Sequence, residues 1–214
     1  MIDRDLFRIN LVKYTKRAFQ SLPELDKPDI LDIGCGSGIP SLSIARLTNG
    51  QIVGIDNDPI TLEQFNKKIQ EQNLSHRIRT VQCDMKKMPF DHNSFDIVWA
   101  EGSIAFVGFE KGLKDWKKLI KPSGYLVIHD SLENIDEKKD QIKSGGYRLI
   151  NHFVLDESVW WDEYFGHLNK ELKNGNTDGS LPLEGVALEV FKEIEMYHQS
   201  PERIRSVYFI LQKM

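Results

Sequence analysis

The chain has 214 residues, 40% hydrophobic and 28% charged, with a formal net charge of −4. That length suits one domain whose core needs no disulfide or metal to hold it. The charge leaves no footprint for a polyanion, the two cysteines (Cys35 and Cys83) form no CxxC pair for zinc or redox chemistry, and no apolar run nears the roughly 20 residues that span a bilayer.

The first residues, Met1-Ile2-Asp3-Arg4-Asp5, are charged and lack the apolar stretch of a signal peptide. A cytoplasmic, reduced protein is the simplest expectation. Leu6, Ile9, Leu11, Val12 and Phe19 recur among basic residues over 4–21, which predicts an amphipathic helix ending before Pro23. A connector leads to a short buried strand, Ile30 to Ile33. A glycine turn follows. The next helix is expected from Gly38-Ile39-Pro40 to about Leu47, where Asn49-Gly50 stops it; proline is tolerated in a first turn because that N–H has no intrahelical partner.

Residues 52–56 read as the second strand, and Asp58 as the N-cap of a helix running to about Gln70. Strands are predicted over 78–83, 95–100 and 125–128. A helix over 112–120 precedes the last of these, ended by Lys121-Pro122-Ser123-Gly124. Beyond residue 130 the expected elements are a short charged helix over 136–144, a strand over 147–155, an aromatic helical stretch reaching Leu172, a polar glycine-rich loop over 173–180, a helix over 185–199 and a final strand over 204–212. There is no internal repeat or low-complexity segment.

Strands alternate with helices from residue 30 to 130, the pattern of βαβ units and a mostly parallel sheet. Such sheets bind ligands beyond the carboxyl ends of their strands. Asp32, Asp56, Asp84, Glu101 and Asp130 all fall at or near those ends. The glycine turn is Gly34-x-Gly36-x-Gly38, with alternating glycines, and it lacks the GxGxxG spacing that packs a pyrophosphate on a helix N-terminus. S-adenosylmethionine carries no phosphate, and glycine allows its amino-acid end to approach the backbone closely. Asp56, closing the second strand, can accept from both ribose hydroxyls. Asp84 can accept from the adenine amino group while Met85 packs on the ring.

These segments resemble the successive motifs of class I S-adenosylmethionine-dependent methyltransferases of small-molecule type. The resemblance runs through Ile30 to Ala45, the Gly54-Ile55-Asp56 tip, Cys83-Asp84 with Met88-Pro89-Phe90, and Phe95-Asp96-Ile97-Val98. Leu119-Ile120-Lys121-Pro122-Ser123-Gly124 is similar to the family's LKPGG turn, with Ser123 replacing a glycine. The match covers roughly residues 28–155. It implies an α/β, three-layer Rossmann-like sandwich around a mostly parallel seven-stranded sheet with its last strand antiparallel. Residues 1–214 would form one domain: an N-terminal helical lid (1–27), a cofactor-binding core (28–155), and substrate-side helices with the last strand (156–214).

Carried over by position, the resemblance assigns Asp32, Gly34, Cys35, Gly36 and Gly38 to the methionine end of the cofactor, Asp56 and Asn57 to ribose, and Asp84 and Met85 to adenine. The stretch Trp99-Ala100-Glu101-Gly102-Ser103 would border the reacting centre, with Glu101 touching cofactor as well. Methyl transfer depends mainly on positioning and desolvation. A base is needed only for a protonated nucleophile, and Glu101 and Asp130 are the candidates. Strand alternation puts His129 and Asp130 on opposite faces, and His129 is assigned the structural role. Trp161 and Tyr164 are candidates to wall a substrate pocket, although Trp160, Trp161, Tyr164 and Phe165 also read as core, and Arg8 or Tyr14 could touch the cofactor from the lid. No metal site is expected.

The Asn/Asp-Pro-Pro-Tyr/Phe motif of DNA amino methylation is missing, and neither cysteine has the Pro-Cys context of cytosine methylation. The expected acceptor is therefore a small molecule, not DNA and not a membrane lipid surface, with RNA disfavoured and a monomer or homodimer as the assembly. A cofactor-binding regulator without turnover and an RNA or protein methyltransferase are the alternatives. A nicotinamide oxidoreductase is disfavoured by the glycine spacing.

Overall fold

The computed structural model describes residues 3–175 and 185–214. Seven strands, β1 (Asp29–Ile33), β2 (Gln51–Asp56), β3 (Ile78–Gln82), β4 (Phe95–Glu101), β5 (Ile120–Ser131), β6 (Tyr147–Leu155) and β7 (Ser206–Lys213), form one sheet in the order β3-β2-β1-β4-β5-β7-β6. The neighbouring pairs from β3 through β5 are parallel, and β7 runs antiparallel to both β5 and β6. The predicted sheet and its antiparallel last strand are thus observed.

The helices are α1 (Asp5–Gln20), α2 (Ile39–Ile44), α3 (Pro59–Glu71), α4 (Phe109–Lys117), α5 (Ile135–Ser144), α6 (Glu157–Trp160), α7 (Gly166–Gly175) and α8 (Gly185–Gln199). Strand periodicity sorts them into layers. Ile30, Ile52, Ile97, Trp99, Val127 and Ile210 face α1, α2 and α3, packing on Ala18, Leu42, Ile44, Leu62 and Phe65. The alternate residues, among them Leu31, Val53, Val98, Leu126 and Phe209, face α4 and α5 through Leu113, Trp116 and Ile142. At about 25 cal/mol per Å² of apolar surface buried, these two interfaces are the main stabilising term. No helix joins β3 to β4; Cys83, Met85, Met88 and Phe90 from the connecting loop pack over that side.

A third cluster sits above the carboxyl edge of the sheet. Tyr164, Phe165, Leu168, Leu172, Val190 and Ile194 pack with Phe7 and Leu11 of α1. The carboxyl half of α1 therefore rests on the sheet while its amino half roofs the strand ends.

The clearest boundary differences from the sequence reading meet at one junction. The helix expected over 112–120 is α4, Phe109–Lys117, and β5 begins at Ile120, not Tyr125. Lys121-Pro122-Ser123-Gly124 is a bulge within that strand: Phe95 pairs with Ile120 but Ile97 pairs with Tyr125. Ser123 takes φ +61°, and Lys121 is anchored 2.7 Å from both Asp29 and Asp96. Proline and a positive φ both suit a bulge as well as a helix stop, so the local signal is the same. Of the polar loop expected over 173–180, residues 173–175 end α7 and residues 176–180 lie outside the described residues.

Candidate functional site

Strand order reverses at β1, which pairs with β2 on one side and β4 on the other. This switch point is where two successive loops diverge and leave a crevice. The loops here are Gly34–Gly38 after β1 and Gly102–Ser103 after β4. They are tied together: Ser103 Oγ donates to the Ile33 carbonyl at 2.6 Å, and the Gly34 and Cys35 N–H groups both donate to the Ile55 carbonyl.

The three glycines of the turn have different jobs. Gly36 lies at φ +51° and a Cβ there would meet nothing within 4 Å, so its bare backbone faces open space in the crevice. Gly38 lies at φ +83° and a Cβ there would stand 2.0 Å from the Phe65 ring. Gly38, expected to hold the methionine end of a cofactor, instead lets α3 pack against the turn. Gly34 is pressed against Ser103, with Met85 Cε 3.7 Å from where its Cβ would be.

Asp56 closes β2 beside the turn. One carboxylate oxygen accepts from the Gly36 N–H at 2.9 Å and the other from the Asp58 N–H at 3.0 Å. A carboxylate offers about four lone-pair positions, so two acceptor sites remain at a half-exposed strand tip. That fits a vicinal diol. Asp58 caps α3 through the Ile60 N–H, as expected, and exposed Asn57 lies between the two acids. Asp84 is exposed after β3 and uses one oxygen to accept from the Lys86 N–H. Half-buried Met85 turns toward Gly34, in reach of a ring lying along this edge.

Asp32 is placed otherwise than expected. It is 1% exposed, beneath the turn, and accepts from Ser41 Oγ at 2.6 Å. Burial, reinforced by the charges of Glu101 and Asp56, pushes its carboxyl up to about 7. It braces the turn against α2 from below. The Cys35 thiol is likewise buried behind the turn, and burial drives it far above the ordinary thiol range. Only the backbone of Cys35 is available to a ligand.

On the other side of the turn lies a cavity of about 530 Å³, lined by Gly34 to Ser37, Glu101 and Gly102, β5 and β7, the inner face of α1, and the aromatic segment after β6. Its floor is one cross-strand row. Glu101 pairs with His129 and His129 with Tyr208, so the three side chains share a face. Glu101 accepts from Trp99 Nε1 at 2.8 Å and from Thr15 Oγ1 of α1 at 3.3 Å, and it bonds the Tyr208 hydroxyl. Burial outweighs these donors and holds its carboxyl above the ordinary range. A carboxylate so raised and so aimed is suited to accept a proton.

His129 stacks on Tyr208 with ring centroids 4.1 Å apart, and Ser206 Oγ lies 2.8 Å from its Nε2. Burial pushes it down to about 3, so it is a neutral wall of the cavity. This corrects the assignment of His129 to a purely structural role. Asp130 points to the opposite face, where its carboxylate pairs with Lys138 of α5 at 2.7 Å. It is held by a structural ion pair and is not the free base expected.

The aromatic segment also departs from expectation. Residues Trp161–Phe165 form a π-helical turn, wider than an α-turn. The wider turn sets Trp160 with Tyr164 and Phe165 and turns Trp161 away, onto Tyr197 at 4.8 Å. Trp160, not Trp161, faces the cavity, fixed by a bond from its Nε1 to Ser206 Oγ. Tyr164 does border the cavity. Arg8 lines it from α1, whereas Tyr14 packs into the sheet-side core. Thr15, Ser206 and Tyr208 were not legible as site residues. Their only signal is the pairing of β5 with β7 and the packing of α1, which no local motif encodes.

The architecture and the strand-edge crevice define the class: this is a class I, Rossmann-like methyltransferase fold. Residues 31–128 match the family model described as a methyltransferase domain. The sterol 4-C-methyltransferase of Caenorhabditis elegans is 31% identical over 57% of this chain and 36% of its own length. An uncharacterised methyltransferase of Bacillus subtilis is 30% identical over 69% of this chain and 62% of its own. The chain thus spans about a third of the sterol methyltransferases it matches. Among solved structures, the [4+2]-cyclase SpnF superposes with a TM-score of 0.80 at 18% identity, covering 94% of this chain and 81% of that one. A geranyl diphosphate methyltransferase solved with S-adenosylmethionine gives 0.70 at 13% identity, over 95% and 85%.

Proposed function

We propose that this chain transfers a methyl group from S-adenosylmethionine to N, O or C of a small molecule, acting as one domain over residues 1–214. The observation that carries the reading is the division of one sheet edge by the Gly34–Gly38 turn. Asp84, Met85 and Asp56 lie on one side, the Glu101–His129–Tyr208 row lies on the other, and the bare Gly36 backbone borders the cavity between them. Asp56 holds ribose, the Gly36 backbone admits the amino-acid end, and Asp84 with Met85 takes the adenine.

The cofactor, when bound, supplies an electrophilic methyl on a positively charged sulfur. The chain's own residues do the rest. The α1 roof excludes water, the aromatic wall orients the acceptor, and Glu101 takes the proton that a protonated nucleophile must lose as its new bond to carbon forms. Trp99, Thr15 and Tyr208 aim that carboxylate and donate to it as it ionises.

No helix among the described residues is long and apolar enough to cross a membrane. We place the protein in the cytoplasm as a monomer or homodimer without a nucleic-acid partner. A second reading keeps the cofactor pocket without methyl transfer, and the superposition on a [4+2]-cyclase supports it. Calorimetric titration with S-adenosylmethionine and S-adenosylhomocysteine, with NAD as control, tests the common ground. Micromolar binding of both and none of NAD is expected. A folded protein that ignores both would refute the cofactor assignment. Binding of both without methylated product over a broad acceptor panel would favour the second reading.

A further inference from the structure

The cavity has a chemical gradient from mouth to floor. Its face of α1 presents Arg4, Arg8, Leu11 and Thr15, the i, i+4, i+7, i+11 positions of one helical stripe. Thr15 touches Glu101 on the floor, so Arg8, seven residues before it at 1.5 Å each, stands about 10 Å up the wall. The opposite wall repeats the arrangement. Tyr208 is on the floor, and Arg205 precedes it by three extended residues of about 3.3 Å, again about 10 Å up. Between the two levels the lining is apolar: Leu11, Leu155, Trp160 and Phe165.

The guanidinium groups at the mouth are loosely held. Arg205 has Asp156 at 3.4 Å and Glu157 at 3.5 Å, yet its Nε is buried with no hydrogen-bond partner. Arg4 holds Glu193, which also lines the cavity, at 3.0 Å, and its Nη2 has only Glu189 at 3.6 Å, too long for a hydrogen bond. Arg8 has no carboxylate within ion-pair distance among the described residues and reaches the Tyr164 hydroxyl. Long, partly exposed ion pairs contribute little, so an incoming oxyanion can displace them. Guanidinium forks with unfilled donors are suited to bind carboxylate or phosphate.

We propose that the acceptor is an oxyanion, a carboxylate or phosphate monoester on an apolar body, whose charged group docks between Arg8 and Arg205 and whose reacting atom lies about 10 Å away at Glu101. The proposal rests on the methyl-transfer reading and adds a substrate class to it. The anion anchors the far end, the aromatic wall covers the body, and beside the neutral His129 the acid on the floor is Glu101.

The test uses the native protein saturated with S-adenosylhomocysteine, titrated calorimetrically with ω-phenylalkanoates of graded chain length, the matching phosphate monoesters, and the methyl esters of the acids. One series should bind about 10–100-fold tighter than its neutral counterpart, the range of a charge-assisted hydrogen bond or two. Affinity should peak at the length that sets the anion about 10 Å from the ring end. The better series tells carboxylate from phosphate. Arg8→Gln combined with Arg205→Gln should erase the preference while affinity for S-adenosylhomocysteine stays within a few-fold. Esters that bind as well as both anion series would overturn the proposal, and this comparison needs no variant to fold. A parallel loss of cofactor affinity in Arg8→Gln would also overturn it, by giving that arginine to the cofactor. A native protein that does not bind S-adenosylhomocysteine refutes the methyl-transfer reading itself, and that result appears before any acid is added.

Discussion

The two halves of the sheet edge are built in opposite ways. The half over β1, β2 and β3 is made of short-range features: a glycine turn, a carboxylate that closes a strand, an acid and a methionine just after the next strand. Each sits within a few residues of the strand that positions it, and much of its binding capacity is backbone. The half over β4, β5 and β7 is made of side chains gathered from residue 8 to residue 208. Glu101 is held by Thr15 from one end of the chain and Tyr208 from the other. A cofactor common to many proteins can be held by a local device, whereas an acceptor peculiar to one protein requires a surface that only long-range packing assembles.

That contrast can be broken at either half. The largest effect is expected from Glu101→Gln. The amide keeps the shape but cannot take a proton, so kcat should fall by about 10²–10⁴-fold while calorimetric affinity for S-adenosylhomocysteine changes little. Unchanged kcat would remove Glu101 from the proton path and assign it to packing. Next is Gly38→Ala, where both the Phe65 clash and the positive φ oppose a side chain. A loss of roughly 3 kcal/mol in urea unfolding is expected. Gly36→Ala meets no atom, should cost about 1 kcal/mol, and should weaken cofactor binding instead. Equal stability of the two variants would mean that the turn does not divide its work in this way.

Asp56→Ala should weaken cofactor binding by about 10–100-fold and leave the acceptor's KM in place at saturating cofactor. An unaltered cofactor Kd would undo the ribose assignment. The gentlest test is a slope. The Asp32 carboxyl is raised to about 7 in the fold from an ordinary value of 3.8. Below pH 4 it is protonated in both states. From there to pH 7 only the unfolded chain ionises readily, so the contribution of this group to stability declines as pH rises, at about 1 kcal/mol per pH unit. His129 acts with the opposite sign. Pushed down to about 3, it stays neutral in the fold while the unfolded chain protonates below pH 6.5, so stability is lost toward acid. The two contributions oppose each other between about pH 4 and 6.5, so thermal melts of Asp32→Asn should fall more steeply toward acid across that window than those of the native protein. A variant whose profile matches the native protein would show that Asp32 is not the group responsible.

The alternation of strands and helices, the parallel core, the turn at Gly34–Gly38, and the placement of Asp56 and Asp84 on one edge were determined by the sequence itself. Each follows from a period, a cap or a glycine acting within about twenty residues, and the hydrophobic pattern forces those elements into layers wherever the rest of the chain lies. What only the tertiary structure decided has longer reach. The imidazole of His129 stands on the cavity floor beside Tyr208 of β7, while the Asp130 carboxylate is claimed by Lys138 of α5. Trp160 replaces Trp161, which the π-helical turn over Trp161–Phe165 leaves stacked on Tyr197 of α8. Asp32 was read as a ligand contact and is a brace, because its exposure depends on Ser41 of α2 closing over it. In each case the side chain's direction is set by which neighbour fills the space beside it. That neighbour is brought in by the packing of the whole sheet and leaves no mark in the local sequence.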